Sequence, residues 1–348
     1  MTKRMFVGAA ALALLCLGIA AQADVFNMDT GMTSLTTVTV GDPGNPGELS
    51  GSGAGGYGPD GILGSVNYAY QMGKFEVTAA QYTEFLNAVA KTDTYGLYNT
   101  SMQSSSYGCK IQRTGTDGGY IYSVAAEWAN RPVNYVSWLD AARFANWLCN
   151  GQLTGVQGLL TTEDGSYFIN GTSDAVSVMR KAGATWVIPS EDEWYKAAFY
   201  DPNKPGGAGY WDYPTRSDIL PSNVLGNPTD PGNNATVWAG GSYTIGSPYW
   251  RTEVGAHENS ESPYGTFDQG GNVSEWNEAV FNASVRGESG GAFIATGLNM
   301  RAIIRGYSSP NYEDGDGGFR LGIVPEPSSI LVLVGGLGTL FGFRRRRA

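Results

Sequence analysis

Three short stretches of this chain announce how a helix begins, and almost nothing else in it does. Thr78-Ala-Ala-Gln81 opens TAAQYTEFLNAVA, Ser137-Trp-Leu-Asp140 opens SWLDAARFANWL, and Ser190-Glu-Asp-Glu193 opens SEDEWYKAAFY. Each places a hydroxyl at the N-cap and a carboxylate or amide three residues on, so that two free backbone N–H groups are satisfied reciprocally. Pro189 sharpens the third boundary. The turn-rich stretch from Gly41 to Gly64 lacks apolar periodicity and reads as a surface loop between two strands, SLTTVTV and NYAYQMGKFEV. From Asn150 to Pro189 short alternating runs mix with turn residues, which favours hairpins over helix. After Asp201 regular patterning fades into Gly, Pro, Asn, Tyr and Trp, the composition of long ordered loops pinned by aromatic rings. With 50 glycines in 348 residues and no repeat period, the expectation is one irregular α+β domain of low regular secondary structure.

The two ends do not belong to that body. Residues 1–23 carry Lys3 and Arg4, then the apolar run MFVGAAALALLCLGIA, then AQA, the order of a secretory signal cut before Asp24. At the other end, residues 325–348 read PEPSSILVLVGGLGTLFGFRRRRA. Ser328 to Phe343 is an apolar stretch of 16 residues, a short transmembrane helix at most, and Arg344 to Arg347 would hold its end on the cytoplasmic side. Pro-Glu-Pro, apolar helix and arginine cluster, in that order, resemble the PEP-CTERM sorting signal of Gram-negative bacteria. That resemblance implies export, transient membrane anchoring at the cell envelope or extracellular surface, and an exosortase partner cutting near Pro325–Pro327. Six basic residues and one acid lie in these ends, which leaves 16 basic against 31 acidic residues in the body of residues 24–324, a net charge of −15. Such a surface repels phosphate backbones and argues against nucleic acid as a partner.

His257 is the only histidine, so no site needing two or three imidazoles can be built. Cys109 and Cys149 are the only cysteines of the body, too few for a thiolate zinc or iron–sulfur site; export would permit a disulfide between them, and spacing alone does not decide it. Gly287-Glu-Ser289-Gly-Gly291 matches the nucleophile elbow G-x-S-x-G. That fold places the histidine base after the serine, whereas His257 precedes it, and the flanks do not read strand–turn–helix, so the match reads as a glycine-rich turn. Asp314-Gly-Asp-Gly-Gly318 starts like an EF-hand loop, but its twelfth position is Pro325 instead of glutamate.

Taken in order, MGKFEVTAAQYTEFLN, RPVNYVSWLDAARFANWL, VIPSEDEWYKAAFY, GTFDQGGNVSEW, RGES and RAIIR…GGFR follow the pattern of the formylglycine-generating enzyme family, the sulfatase-modifying-factor domain. The resemblance spans residues 66–323 and implies a single domain related to C-type-lectin-like folds. The family's enzymes oxidise a substrate cysteine with copper and oxygen, holding the metal on two cysteine thiolates. Anchored on Arg286 and Ser289 to the left and Arg301 and Arg305 to the right, those two positions fall on Ala292 and Gly297, which cannot ligate copper. Copper is therefore not expected, and the arginines are expected to hold the frame together through acids and carbonyls. The family's calcium sites map better: Asp268 and Glu275 with the carbonyls of Gly271 and Val273 for one, Asn223 and the Val224 carbonyl for part of the other, with Ser274 in place of the usual tryptophan. The resulting expectation is an exported binding or structural module, more readily non-catalytic than enzymatic, with calcium as its cofactor and an extracellular glycan or peptide as its ligand. The loops GYWDYP and SPYWR are candidate recognition surfaces or core. The alternative is an oxidoreductase of the same family, or of its relatives named as non-haem iron enzymes, with altered chemistry.

Overall fold

All three marked helix starts form the capped ends the sequence predicts. A computed structural model describes residues 35–226 and 232–325. Helix α1, Ala79–Val89, begins where Thr78 Oγ1 accepts from Gln81 N at 3.3 Å and Gln81 Oε1 accepts from Thr78 N at 2.9 Å. Two single turns follow, α2 (Ser101–Ser104) and α3 (Ala126–Ala129). Helix α4, Trp138–Cys149, and helix α5, Glu191–Phe199, carry the same reciprocal cap at Ser137/Asp140 and Ser190/Glu193. Every residue of α4 from Trp138 to Leu148 is buried, so the helix runs through the middle of the molecule instead of lying on its surface. Its Phe144 and Trp147 each approach Phe85 of α1, at 5.2 Å between ring centroids, and Phe319 closes the cluster 5.5 Å from Phe144.

Two four-stranded sheets flank these helices. In the first the order is Thr37–Val40, Tyr70–Gly73, Gly322–Ile323, Trp186–Val187, all antiparallel. The last strand of the described chain thus lies between two earlier ones. In the second the order is Gly306–Ser308, Val285–Ser289, Ser274–Asn282, Gly317–Gly318, with the final pair parallel. Only 16% of the described residues are helical and 22% are in strands. Loops therefore make most of the interior, and their backbone groups must be satisfied one by one.

The structure departs from the sequence expectations in two loop regions. The glycine-rich region contains a hairpin, Glu48–Ser50 with Gly61–Leu63, and it docks on the 303–305 segment: Tyr57 N donates to Ile303 O at 3.2 Å and Arg305 N to Tyr57 O at 2.9 Å. A side chain at Gly56 would strike Ile303 O at 1.8 Å, which is why alternation failed to show; close backbone approach selected glycine there. Between Asn150 and Thr185 the expected hairpins do not form. That stretch is turns, with an isolated bridge from Tyr167 to Arg180, held by side chains such as Asn146, whose amide donates to Thr162 O and Tyr167 O, both at 2.8 Å. Cys109 and Cys149 are free thiols, the first buried. The GYWDYP and SPYWR aromatics pack more than they display: Tyr213 is buried, Lys204 covers Trp211 at 4.4 Å, and Trp250 stands 5.2 Å from Tyr107. The secretory and sorting segments lie outside the described residues, save for Pro325. Among the described residues no helix is long and apolar enough to cross a membrane.

Candidate functional site

The motif region is organised by the hairpin of Ser274–Asn282 with Val285–Ser289, in which Glu275 faces Ser289. The chain enters it through a tight turn at Gly270–Asn272. Gly271 has φ +89°, and a Cβ there would stand 2.5 Å from Thr236 O, so only glycine fits. Asp268 and Asn272 also sit in the left-handed region, at φ 58° and 54°, which short polar side chains tolerate. Ser289 lies at the end of a regular strand and its Oγ accepts from Asn277 Nδ2 at 3.1 Å, so the G-x-S-x-G match is no elbow.

Glu275 points inward and is fully buried, and its carboxylate is committed to two partners. Arg320 Nε and Nη2 donate to its two oxygens, each at 2.6 Å, and Trp194 Nε1 donates to Oε2 at 2.7 Å. The remaining Arg320 donors reach Gly73 O at 3.0 Å and Phe267 O at 2.8 Å. Burial alone would lower the Arg320 guanidinium, but the charge and hydrogen bonds of Glu275 hold it above its ordinary value. This is a bidentate, fully satisfied buried pair. Its cation occupies the electrostatic role that a calcium ion would play beside Glu275, so Glu275 as it stands does not fit a calcium shell.

Two further acids share this interior. Glu76 accepts from Val273 N and Asn272 Nδ2, both at 3.2 Å; burial, then the charges of Asp268 and Glu275, push it well above the carboxylate range. Asp268 is raised to about 6 by burial and by the charge of Glu275, against the pull of the Gly255 N–H and Arg320. Asp268 Oδ2 accepts from Gly255 N at 2.6 Å. With Thr215, Asn234, His257, Ser260 and Gln269 it also lines a cavity of about 10 Å3, on the order of one water molecule. The lining also includes Pro214, Phe267 and Gly270; its Asp, Thr, Ser, Asn and Gln oxygens suit a small hard cation better than copper. His257 Nε2 stands 3.1 Å from Thr236 Oγ1. Gly271 and Val273 lie on the same turn as Asp268, and Asn223, expected in a second site, lies on a separate segment. Its amide donates to Ala239 O and Ser242 O at 3.2 and 2.9 Å, and Val224 is exposed.

Ala292 is buried, and Gly297 opens a single 3-10 turn at Gly297–Met300. A Cβ on Gly297 would meet Leu220 Cδ1 at 2.8 Å, and neither its hydrogen nor the Ala292 methyl offers a ligand atom. Beside Ala292, Phe293 is buried among Tyr107, Tyr243 and Trp250. Copper therefore does not fit these positions. The frame arginines serve as expected: Arg305 grips Glu191 at 2.7 Å through both Nε and Nη2, Arg301 reaches Asp212 at 3.5 Å, and Arg286 donates to the carbonyls of Ala175, Glu278, Val176 and Val178. Sequence reasoning missed Glu76, whose one sign is an acid between Phe75 and Val77. It also missed the network in which Arg180 joins Glu193 at 2.8 Å to Glu278 at 2.9 Å.

Three solved structures are similar to the chain. CarF is 20% identical with a TM-score of 0.50, covering 84% of this chain and 98% of its own. Treponema denticola variable protein 1 is 18% identical, with a TM-score of 0.49 and coverage of 84% and 96%. PvdO from Pseudomonas aeruginosa is 16% identical, with a TM-score of 0.46 and coverage of 83% and 94%. None of the curated protein sequences matches the chain. The model of the sulfatase-modifying factor enzyme 1-like domain (FGE-sulfatase) matches residues 65–323, the span that holds the hairpin, the buried Arg320–Glu275 pair and the Ala292–Gly297 loop, and the chain belongs to that family.

Proposed function

We propose that this is an exported, surface-sorted member of the family that has given up thiolate–copper oxidation and acts as a non-catalytic binding module at the envelope. The observation that carries the reading is the pair Ala292 and Gly297: one is a buried methyl, the other has Leu220 against the place where its side chain would begin. The supporting scaffold, by contrast, keeps its buried arginine–glutamate pair fully satisfied. Loss of ligands within a retained frame is what a fold kept for binding would look like. Calcium enters this proposal at Asp268, where the small cavity lies, and export and exosortase processing enter through the two terminal segments.

The test is direct. The purified protein, loaded with Cu(I) and given oxygen and a cysteine-containing sulfatase peptide, is expected to yield no formylglycine by mass spectrometry. Product that disappears on removal of copper by a chelator would overturn the non-catalytic reading in favour of an oxidase with different ligands.

A further inference from the structure

At the start of α4 a second, larger cleft opens on the surface, about 200 Å3 in volume. Tyr95, Ser137, Asp140, Arg143, Ser173 and Glu313 are among the residues that line it. Nothing in the calcium or copper maps of the family resemblance falls here. Asp140 is only 2% exposed, and its Oδ2 already accepts from Ser137 N at 2.8 Å and Ser137 Oγ at 2.6 Å as part of the helix cap. Its other oxygen has no hydrogen-bond partner among the described residues. Glu313 accepts from Asn99 Nδ2 at 2.5 Å through Oε2, and its Oε1 likewise has none. The one cation in the lining is already used: Arg143 donates to Glu163 at 2.7 and 3.3 Å and lies over the Tyr95 ring at 4.5 Å. The cleft thus presents two acceptor oxygens on carboxylates that have no ion-pair partner among the described residues, although Arg143 and the Ser137 cap partly offset the charge of Asp140.

We propose that this cleft binds an organic ligand through a primary ammonium group, which donates to Asp140 and Glu313 beside the Tyr95 ring. Volume and charge select that chemistry together. A bare metal ion needs far less space and more ligands than Asp140 and Glu313, the two carboxylates of this lining, supply. A neutral polyol would fill the space but leave a buried carboxylate without a counter-charge, which is costly. An alkylammonium supplies three donors and a stem that lies against an aromatic face. The electrostatics agree: burial pushes Asp140 up to about 6, and burial with the charge of Asp140 pushes Glu313 up to about 7. A bound cation pulls both down, so binding releases protons near neutrality and weakens as pH falls toward 5. The other charged groups acting on this pair are Arg143 on α4 and Asp93; Arg143 is itself paired with Glu163 at 2.7 Å and Asp93 with Arg113 at 3.6 Å. The assignment goes beyond the loss of copper ligands and would hold equally in a catalytic member.

The experiment is calorimetric titration of the purified protein with cadaverine, with Nα-acetyl-lysine amide and with glucosamine, in two buffers of different ionisation enthalpy at pH 5 and pH 7.5. Pentanol and N-acetylglucosamine are the uncharged controls. At least one amine is expected to bind, more tightly at pH 7.5, with proton release, and the arm that binds names the source of the ammonium. Glu313→Gln is expected to weaken binding by about tenfold or more, the loss of one charge-assisted hydrogen bond. It is the test variant because Asp140 also caps α4; the unchanged melting temperature of Glu313→Gln is the check that the fold survives. Absence of amine binding at millimolar concentration, equal binding of the uncharged controls, or full affinity in Glu313→Gln would each overturn the proposal.

Discussion

Glu275 illustrates how one residue can satisfy a motif and still do something else. Its spacing from Asp268 suits a calcium loop, yet both its oxygens are held by Arg320. Removing half of a buried pair strands the other charge, so Glu275→Gln is expected to cost about 3–5 kcal/mol in urea unfolding, with calcium or without it. A double variant with Arg320→Met should recover part of that loss, since an apolar replacement of both partners avoids the stranded charge. Additive losses would mean that the pair is not the unit described here. Asp268 behaves differently under the same proposal. If calcium occupies the small cavity beside it, the ion raises the melting temperature of the wild type, and Asp268→Asn abolishes that shift; a ligand at a hundred times its Kd stabilises by about 2.7 kcal/mol. Melting curves of the wild type that coincide in calcium, magnesium and chelator would remove the ion from this account. No spacing rule could separate the roles of the two carboxylates, because the partner of Glu275 lies 45 residues away.

At the scale of the element, the helices were legible and the loops were not. A reciprocal cap is a local device: its donors and acceptors lie within four consecutive residues, so Thr78, Ser137 and Ser190 marked their helices without help from the rest of the chain. Thr78→Ala removes one cap oxygen and leaves the Gln81 N–H without it, which is expected to cost about 1 kcal/mol in denaturant titration. A loss well under half of that would mean that tertiary packing alone sets the start of α1. The region from Asn150 to Thr185 was misread as hairpins because its alternating residues find partners elsewhere: Tyr167 OH donates to Glu278 Oε1 at 2.6 Å across to the second sheet. The glycine-rich hairpin was misread as a loose loop for the converse reason. Its glycines answer to the backbone of Ile303 and Arg305, which no nearby residue announces.

Across the whole molecule, the decisive arrangement is the first sheet, where Gly322–Ile323 lies between Tyr70–Gly73 and Trp186–Val187. A strand inside a sheet carries hydrogen bonds on both edges, so it cannot be removed without unzipping its neighbours. A chain ending at Pro325 is therefore expected to keep the melting temperature of the longer one, whereas a chain ending at Phe319 loses this strand and the Arg320 clamp and is expected to unfold non-cooperatively in calorimetry. Equal stability of the two truncations would show the strand to be dispensable. The same geometry bears on processing, since a cut between Pro325 and Pro327 would leave every residue of that strand in place.

What the sequence determined by itself were the local and compositional properties: the helix starts, the low content of regular structure, the absence of a histidine or thiolate metal set, and a motif order that proved to mark the family. Each of these is encoded within a few residues or in counts that folding does not alter. Tertiary structure decided the rest. It settled which acids are neutralised by arginines and which face a cavity or cleft, and which glycines mark close contacts in place of slack loops. Those outcomes depend on groups far apart in the chain being desolvated together, so Glu275 with Arg320 and Asp140 with Glu313 acquire their properties only once the fold has excluded water from between them.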